Sequence, residues 1–122
     1  MLPLLQARIS LIFDILGEFV VSATPLAINF HSFKLKIDLS NGTTFRLNEQ
    51  YRDDQLQRYA YYWLDDVNNL IIGWDNAPHH PHISTHPDHK HVTLQTNIHP
   101  STETDLTAVL GVIHEELSTK EV

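Results

Sequence analysis

Apolar residues recur along the chain with two different periods, and the switch between them predicts helical ends around a strand-rich middle. Leu2, Leu5, Ile9, Ile12, Phe13 and Leu16 keep the three-and-four spacing of one helical face, which predicts an N-terminal helix ending near Gly17. Residues 19–22 then read as extended. Pro25 is expected to break whatever precedes it, because it lacks an amide proton and restricts Thr24. Phe33, Leu35, Ile37 and Leu39 alternate with Lys34, Lys36 and Asp38, the period of a strand with one wet face. Phe45 and Leu47 resume that alternation after Ser40-Asn41-Gly42. A two-residue loop there would set Phe45 opposite Asp38 and put apolar groups on the wrong face. A three-residue loop, 40–42, with Gly42 left-handed, pairs Ile37 with Phe45 and Leu35 with Leu47, so register selects it.

Residues 59–64 and 70–74 predict a second hairpin around 65–69, and large apolar groups on both faces place it centrally in the sheet. Val92, Leu94, Thr96 and Ile98 alternate with Thr93, Gln95 and Asn97, which predicts a strand over 92–98 ended by His99-Pro100. Leu106, Val109, Leu110, Ile113 and Leu117 form the buried stripe of a C-terminal helix, with Thr102 or Thr104 as its N-cap and His114 on its polar side. No internal repeat or linker divides the chain. The expectation is one domain over residues 1–122, an α+β fold in which a single antiparallel sheet of about five or six strands carries both terminal helices.

Charge and composition narrow the chemistry. The formal charge of −7 argues against a generally basic nucleic-acid binder, so any contact with RNA must be local. With no cysteine there is neither a disulfide nor a thiolate metal site, and a reducing cytoplasm fits. Residues 2–21 are apolar, but Arg8, Asp14 and Glu18 interrupt them and no basic leader precedes a cleavage-like site, so no membrane partner is expected.

The chemistry concentrates in residues 75–91, DNAPHHPHISTHPDHKH, which hold six of the nine histidines. Imidazole titrates near neutral pH and ligates metals readily, and a connection this long tends to be functional or disordered. Pro78, Pro81 and Pro87 forbid a continuous helix and stiffen the segment. One reading is acid/base catalysis: one imidazole removes a proton, a second returns one, Asp75 orients a ring and Lys90 stabilises a phosphorane-like anion. RNA brings its own nucleophile, the 2′-hydroxyl, so no serine, cysteine or metal is required. A second reading is a site for zinc or another divalent metal among His79, His80, His82, His86, His89 and His91, with Asp75 or Asp88 as a carboxylate ligand. There is no H-E-x-x-H helix to select the ligands. A third is a solvated or partner-binding loop capping the sheet. Elsewhere Tyr59, Tyr61, Tyr62, Trp63 and Trp74 could stack on bases, and Arg46, Arg52 and Arg58 could meet phosphate; core packing and a solvated sheet face are the alternatives.

At Tyr59-Ala60-Tyr61-Tyr62-Trp63, Trp74-Asp75-Asn76-Ala77-Pro78-His79-His80-Pro81, Ser84-Thr85, Pro87 and His89-Lys90-His91 the chain resembles the TumE family of toxins from prokaryotic toxin-antitoxin modules. That family carries a Y-x-Y-H-W-Q strand, a D-N-A-P-H-H-P turn and an F-P-H-H-K-H segment, and the resemblance is close over residues 59–92 and loose over the first 30. It implies a TumE-like toxin domain acting in the cytoplasm, a cognate antitoxin as partner, RNA as substrate and, as an assembly, a homodimer. Metal-independent cleavage with no cofactor is the leading expectation. His79, His80, His89, His91 and Asp75 are then the catalytic candidates, with Lys90, Asn76, Arg58 and Tyr61 binding substrate. In the metal-dependent hydrolase alternative, His79, His80, His89 and His91 are the ligands. Tyr62 stands where the family strand has histidine, Leu64 where it has glutamine and Asp88 where another histidine is usual; His82 and His86 replace a carboxylate and a phenylalanine. If the strand histidine is essential, the chain is an inactive member, a non-catalytic partner-binding module.

Overall fold

The computed structural model describes residues 1–119. Helix α1 spans Leu2–Leu16 and is followed by a short 3₁₀ turn, Gly17–Phe19. Strands β1 (Val20–Ile28), β2 (Ser32–Leu39), β3 (Thr44–Arg52), β4 (Gln55–Leu64), β5 (Leu70–Asp75), β6 (His89–Val92) and β7 (Ile98–Pro100) precede helix α2 (Leu106–Thr119). The strands form one antiparallel meander in sequence order, seven strands rather than five or six. The fold is therefore α+β, with both helices on one sheet face. No helix among the described residues is long and apolar enough to cross a membrane.

The core is the helix-covered face. Phe33, Leu35, Ile37 and Leu39 of β2, Phe45 and Leu47 of β3, Tyr61 and Trp63 of β4 and Trp74 of β5 are buried there against Leu5, Ile12, Leu16, Leu106, Val109, Leu110, Ile113 and Leu117. Residues 40–42 form the expected loop, with Gly42 at φ 86° and the pairs Ile37 with Phe45 and Leu35 with Leu47 in register. One carboxylate is buried among these apolar groups. Glu49, fully enclosed, accepts two hydrogen bonds from the Arg8 guanidinium at 2.8 and 2.9 Å and one each from the Tyr51 and Tyr61 hydroxyls. All its acceptor capacity is taken up by fixed donors, the condition for burying a charge.

Three sequence expectations need correction. Pro25 does not break its strand: β1 runs through it because β1 is a sheet edge, where a missing amide proton costs no ladder bond. The alternation over 92–98 is not a strand but the reversal between β6 and β7, with Thr93 left-handed at φ 68°. The α2 cap is Asp105, whose carboxylate accepts from the Ala108 amide at 2.8 Å, rather than Thr102 or Thr104. His114 is half-buried, its ring edge-on to Phe19 at 5.8 Å.

Candidate functional site

The sheet face away from the helices carries the polar members of each strand, and at β5 and β6 those members are Asp75, His89 and His91. Asp75 pairs directly with His89 across the two strands, and Gly73 with His91, so alternation places all three side chains on one face. His89 Nε2 lies 3.0 Å from one Asp75 oxygen and His91 Nε2 lies 3.1 Å from the other. Each ring is fixed from behind as well: His89 Nδ1 donates to the Pro87 carbonyl at 2.9 Å, and His91 Nδ1 to the Gln95 carbonyl at 2.7 Å. A carbonyl only accepts, so both Nδ1 atoms carry their proton and both Nε2 atoms face the carboxylate.

His80 completes the cluster from the connecting loop, its ring 4.8 Å from His89 and 6.2 Å from His91, edge to face in both cases. Desolvation, followed by the charges of His89, His91 and His82, lowers the His80 pKa below the ordinary imidazole value, so it is neutral at pH 7 and able to accept a proton. The loop that delivers it, residues 76–88, is stapled at both ends. Asn76 accepts from the Tyr59 amide and donates to the Gln57 carbonyl, at 2.9 and 3.0 Å. Tyr59 donates to Asp88 at 2.7 Å, and Thr85 donates to the Asp88 carbonyl while accepting from the Ser101 amide.

Of the residues expected from sequence, His80, His89, His91 and Asp75 come together. His79 is exposed, and no ring contact or side-chain hydrogen bond brings it into the group. Asn76 spends both ends of its amide on β4 backbone, so its role is to anchor the loop. Lys90 points to the helix-covered face and pairs with Glu103 at 3.1 Å, away from the imidazoles. Tyr61 also faces the core, on Glu49. Arg58 does reach the site: with Asp75, Ala60, Tyr62, Asn48 and Gln50 it lines a cavity of about 230 Å³. Asp75, 13% exposed, is the point where cluster and cavity meet. The aromatic group on this face is Tyr62, whose ring lies over Gly73; a Cβ at Gly73 would sit 3.0 Å from it. An isolated glycine inside the apolar run 70–74 was the sequence signal for such a close approach. Burial and the Asp75 charge raise the Tyr62 pKa, keeping its hydroxyl a donor.

Asp75, His89 and His91 also make a set able to hold a metal ion, since one ligand atom from each lies within 4.8 Å of the others. Two imidazoles and a carboxylate, each imidazole oriented by a carbonyl behind it, suit zinc or a similar divalent ion.

The sequence model of one protein family, described as Toxin TumE, matches residues 11–120 of the chain. No curated protein and no solved structure gives a significant match.

Proposed function

The chain belongs to the TumE toxin family, and from that premise we propose that it is the toxin of a toxin-antitoxin pair, held in check by a cognate antitoxin in the cytoplasm and acting by metal-independent cleavage of RNA. The observation that supports this reading is the convergence of three imidazoles and one carboxylate beside a cavity that can admit a phosphodiester. His80, neutral at pH 7, takes the proton of the ribose 2′-hydroxyl. The 2′-oxygen forms a bond to phosphorus as the bond from phosphorus to the 5′-oxygen breaks, leaving a 2′,3′-cyclic phosphate. The departing 5′-oxygen receives a proton from His91, the more accessible of the two Asp75-held rings at 9% against 3% exposure. Asp75 fixes both rings, so their N–H groups are already oriented when the phosphorane develops. Lys90, on the other face, has no part in this scheme.

The test is inducible expression in a bacterial host of wild type and His80→Ala, scored for growth and RNA integrity, followed by purified protein on RNA in EDTA. Growth arrest with RNA loss for wild type alone supports the proposal. A wild-type chain that neither slows growth nor cuts RNA would leave a partner-binding module. A second reading has its own observation. Both Nδ1 protons are given to backbone carbonyls, which leaves two Nε2 lone pairs and a carboxylate free to take up zinc or another divalent metal. Stoichiometric metal in the purified protein, with activity lost in EDTA and restored by the ion, would replace proton transfer by metal-assisted hydrolysis.

A further inference from the structure

Two cross-strand rows link the imidazole cluster to the far side of the sheet. Lys34, Asn48, Ala60, Asp75 and His89 are successive partners across β2 to β6, and Lys36, Arg46, Tyr62, Gly73 and His91 form the adjacent row. Both rows lie on the face without helices. Cations stand at one end and imidazoles at the other, with the small residues Ala60 and Gly73 between. Two cavities occupy this strip: the 230 Å³ cavity at Asp75 and Arg58, and one of about 180 Å³ at Lys34 and Arg46. Asn48 and Tyr62 line both, so the two adjoin.

The distribution of charge on the strip is unlike that of the chain as a whole. Lys34, Lys36, Arg46 and Arg58 are four of the eight Lys and Arg residues in a chain of formal charge −7. Among the described residues only Lys36 of these four has an ionic partner, Asp38 at 3.8 Å. Arg46 Nε is buried with no hydrogen-bond acceptor, an arrangement that costs stability unless a ligand supplies one. The acids on the strip are Asp38, held by Ser22 and Lys36, and Asp75, held between two imidazoles.

We infer that this trough is the track for a single strand of RNA, running across β2 to β6 from Lys34 and Arg46 to the imidazoles. The inference rests on the RNA-cleaving reading of the cluster and adds the path and strandedness of its substrate. Four strand intervals of about 4.8 Å give the track a length of about 19 Å, which at about 3.4 Å per stacked nucleotide accommodates about five. Arg58, Arg46 and Lys34 each take a backbone phosphate, and Tyr62, standing over Gly73 at the middle, offers its ring to a base. A duplex does not suit the trough: its A-form backbone holds the 2′-oxygen out of line with the 5′-leaving oxygen, and its paired bases cannot reach Tyr62.

The experiment is fluorescence anisotropy with a labelled ten-nucleotide 2′-O-methyl RNA, which cannot be cleaved through its 2′-oxygen, against wild type, Arg46→Gln, Arg58→Gln and the double variant. With three phosphates neutralised, the slope of log affinity against log salt is expected to be about −2 for wild type, falling by about 0.7 for each arginine removed. The double variant is expected to bind at least about ten-fold more weakly. Unchanged affinity and slope in the double variant, or equal binding of a duplex of the same length, would overturn the track. Failure of the cleavage reading is seen separately. A wild type that binds the uncut strand as expected but leaves ordinary RNA intact keeps the track and loses the nuclease. A wild type that cuts RNA while the double variant binds and cuts equally well keeps the nuclease and loses the track.

Discussion

Glu49 and Asp75 lie on opposite faces of the same sheet, each gripped by several side chains, and the difference lies in what grips them. Glu49 is sealed under α1 by a guanidinium and two phenols, groups that hold their protons throughout the physiological range. Asp75 is held by two imidazoles at the edge of a cavity, with a third imidazole above them. Imidazoles give up and take back protons near pH 7. A carboxylate in a saturated network is thus closed off under the helices, while on the open face one stands within reach of a ligand.

Substitution on each side separates the two roles, and the largest effect is expected at His80. Removing a general base costs about 10²–10⁴-fold in rate, so His80→Ala should abolish detectable RNA cleavage while its thermal melt stays that of wild type. The ring is held by contacts with neighbouring imidazoles rather than by the core, so the melt has little reason to move. Arg8→Met should do the opposite. Breaking a buried ion pair on one side costs about 3–5 kcal/mol, and the lower end applies because Arg8 is 24% exposed and two tyrosines remain on Glu49. Denaturant unfolding would show this loss, with cleavage per folded molecule retained. An Arg8→Met protein of wild-type stability, or a His80→Ala protein that cuts RNA normally, would erase the distinction between the faces.

The same contrast was only partly legible in the sequence. Alternation in β2 and β3 gave the register, because those strands have one apolar and one wet face, and Gly42 marked the loop. Strand β6 was invisible: its four residues, His89-Lys90-His91-Val92, carry no apolar alternation and are extended because β5 and β7 pair with them. Hence residues 89–91 read as loop, and although Asp75, His89 and His91 were candidates, the strand pairing that joins them was not legible. The selection of His80 over His79 had no local signal either. It depends on how Asn76, Thr85 and Asp88 tie down the loop, contacts that span up to 29 residues along the chain.

Titration offers a finer test, since the two faces should respond at opposite ends of the pH scale. Burial, then the charge of Glu49, pushes the Tyr51 hydroxyl up from 10.0 to about 12, and the same causes push Tyr61 higher. A raised pKa in the folded state favours folding of the protonated form. That contribution is whole below pH 10.0 and is lost as the pH rises through about 12. Melting temperature should therefore begin to fall in this alkaline window as tyrosinate absorbance rises. On the open face the His80 pKa is lowered, so the acid limb of kcat/KM should fall below the ordinary value of 6.5. An acid limb centred above 6.5 would mean that another group is the base.

The smallest expected effect tests the division between faces most locally. Lys90 sits between His89 and His91 in sequence, yet strand alternation sends it to the helix-covered face, where it meets Glu103 beside the Trp74 indole. The pair is partly exposed, 27% for Lys90 and 16% for Glu103. Its removal in Lys90→Met should cost no more than about 1 kcal/mol, and the apolar stem that remains still covers the sheet. Cleavage and RNA affinity should be unchanged, since no Lys90 atom contributes to the imidazole cluster or to the cavity at Asp75. A ten-fold loss of cleavage with an unaltered melt would place the phosphate within reach of Lys90. The substrate would then have to wrap round the sheet edge, and the faces could no longer be assigned to scaffold and chemistry separately.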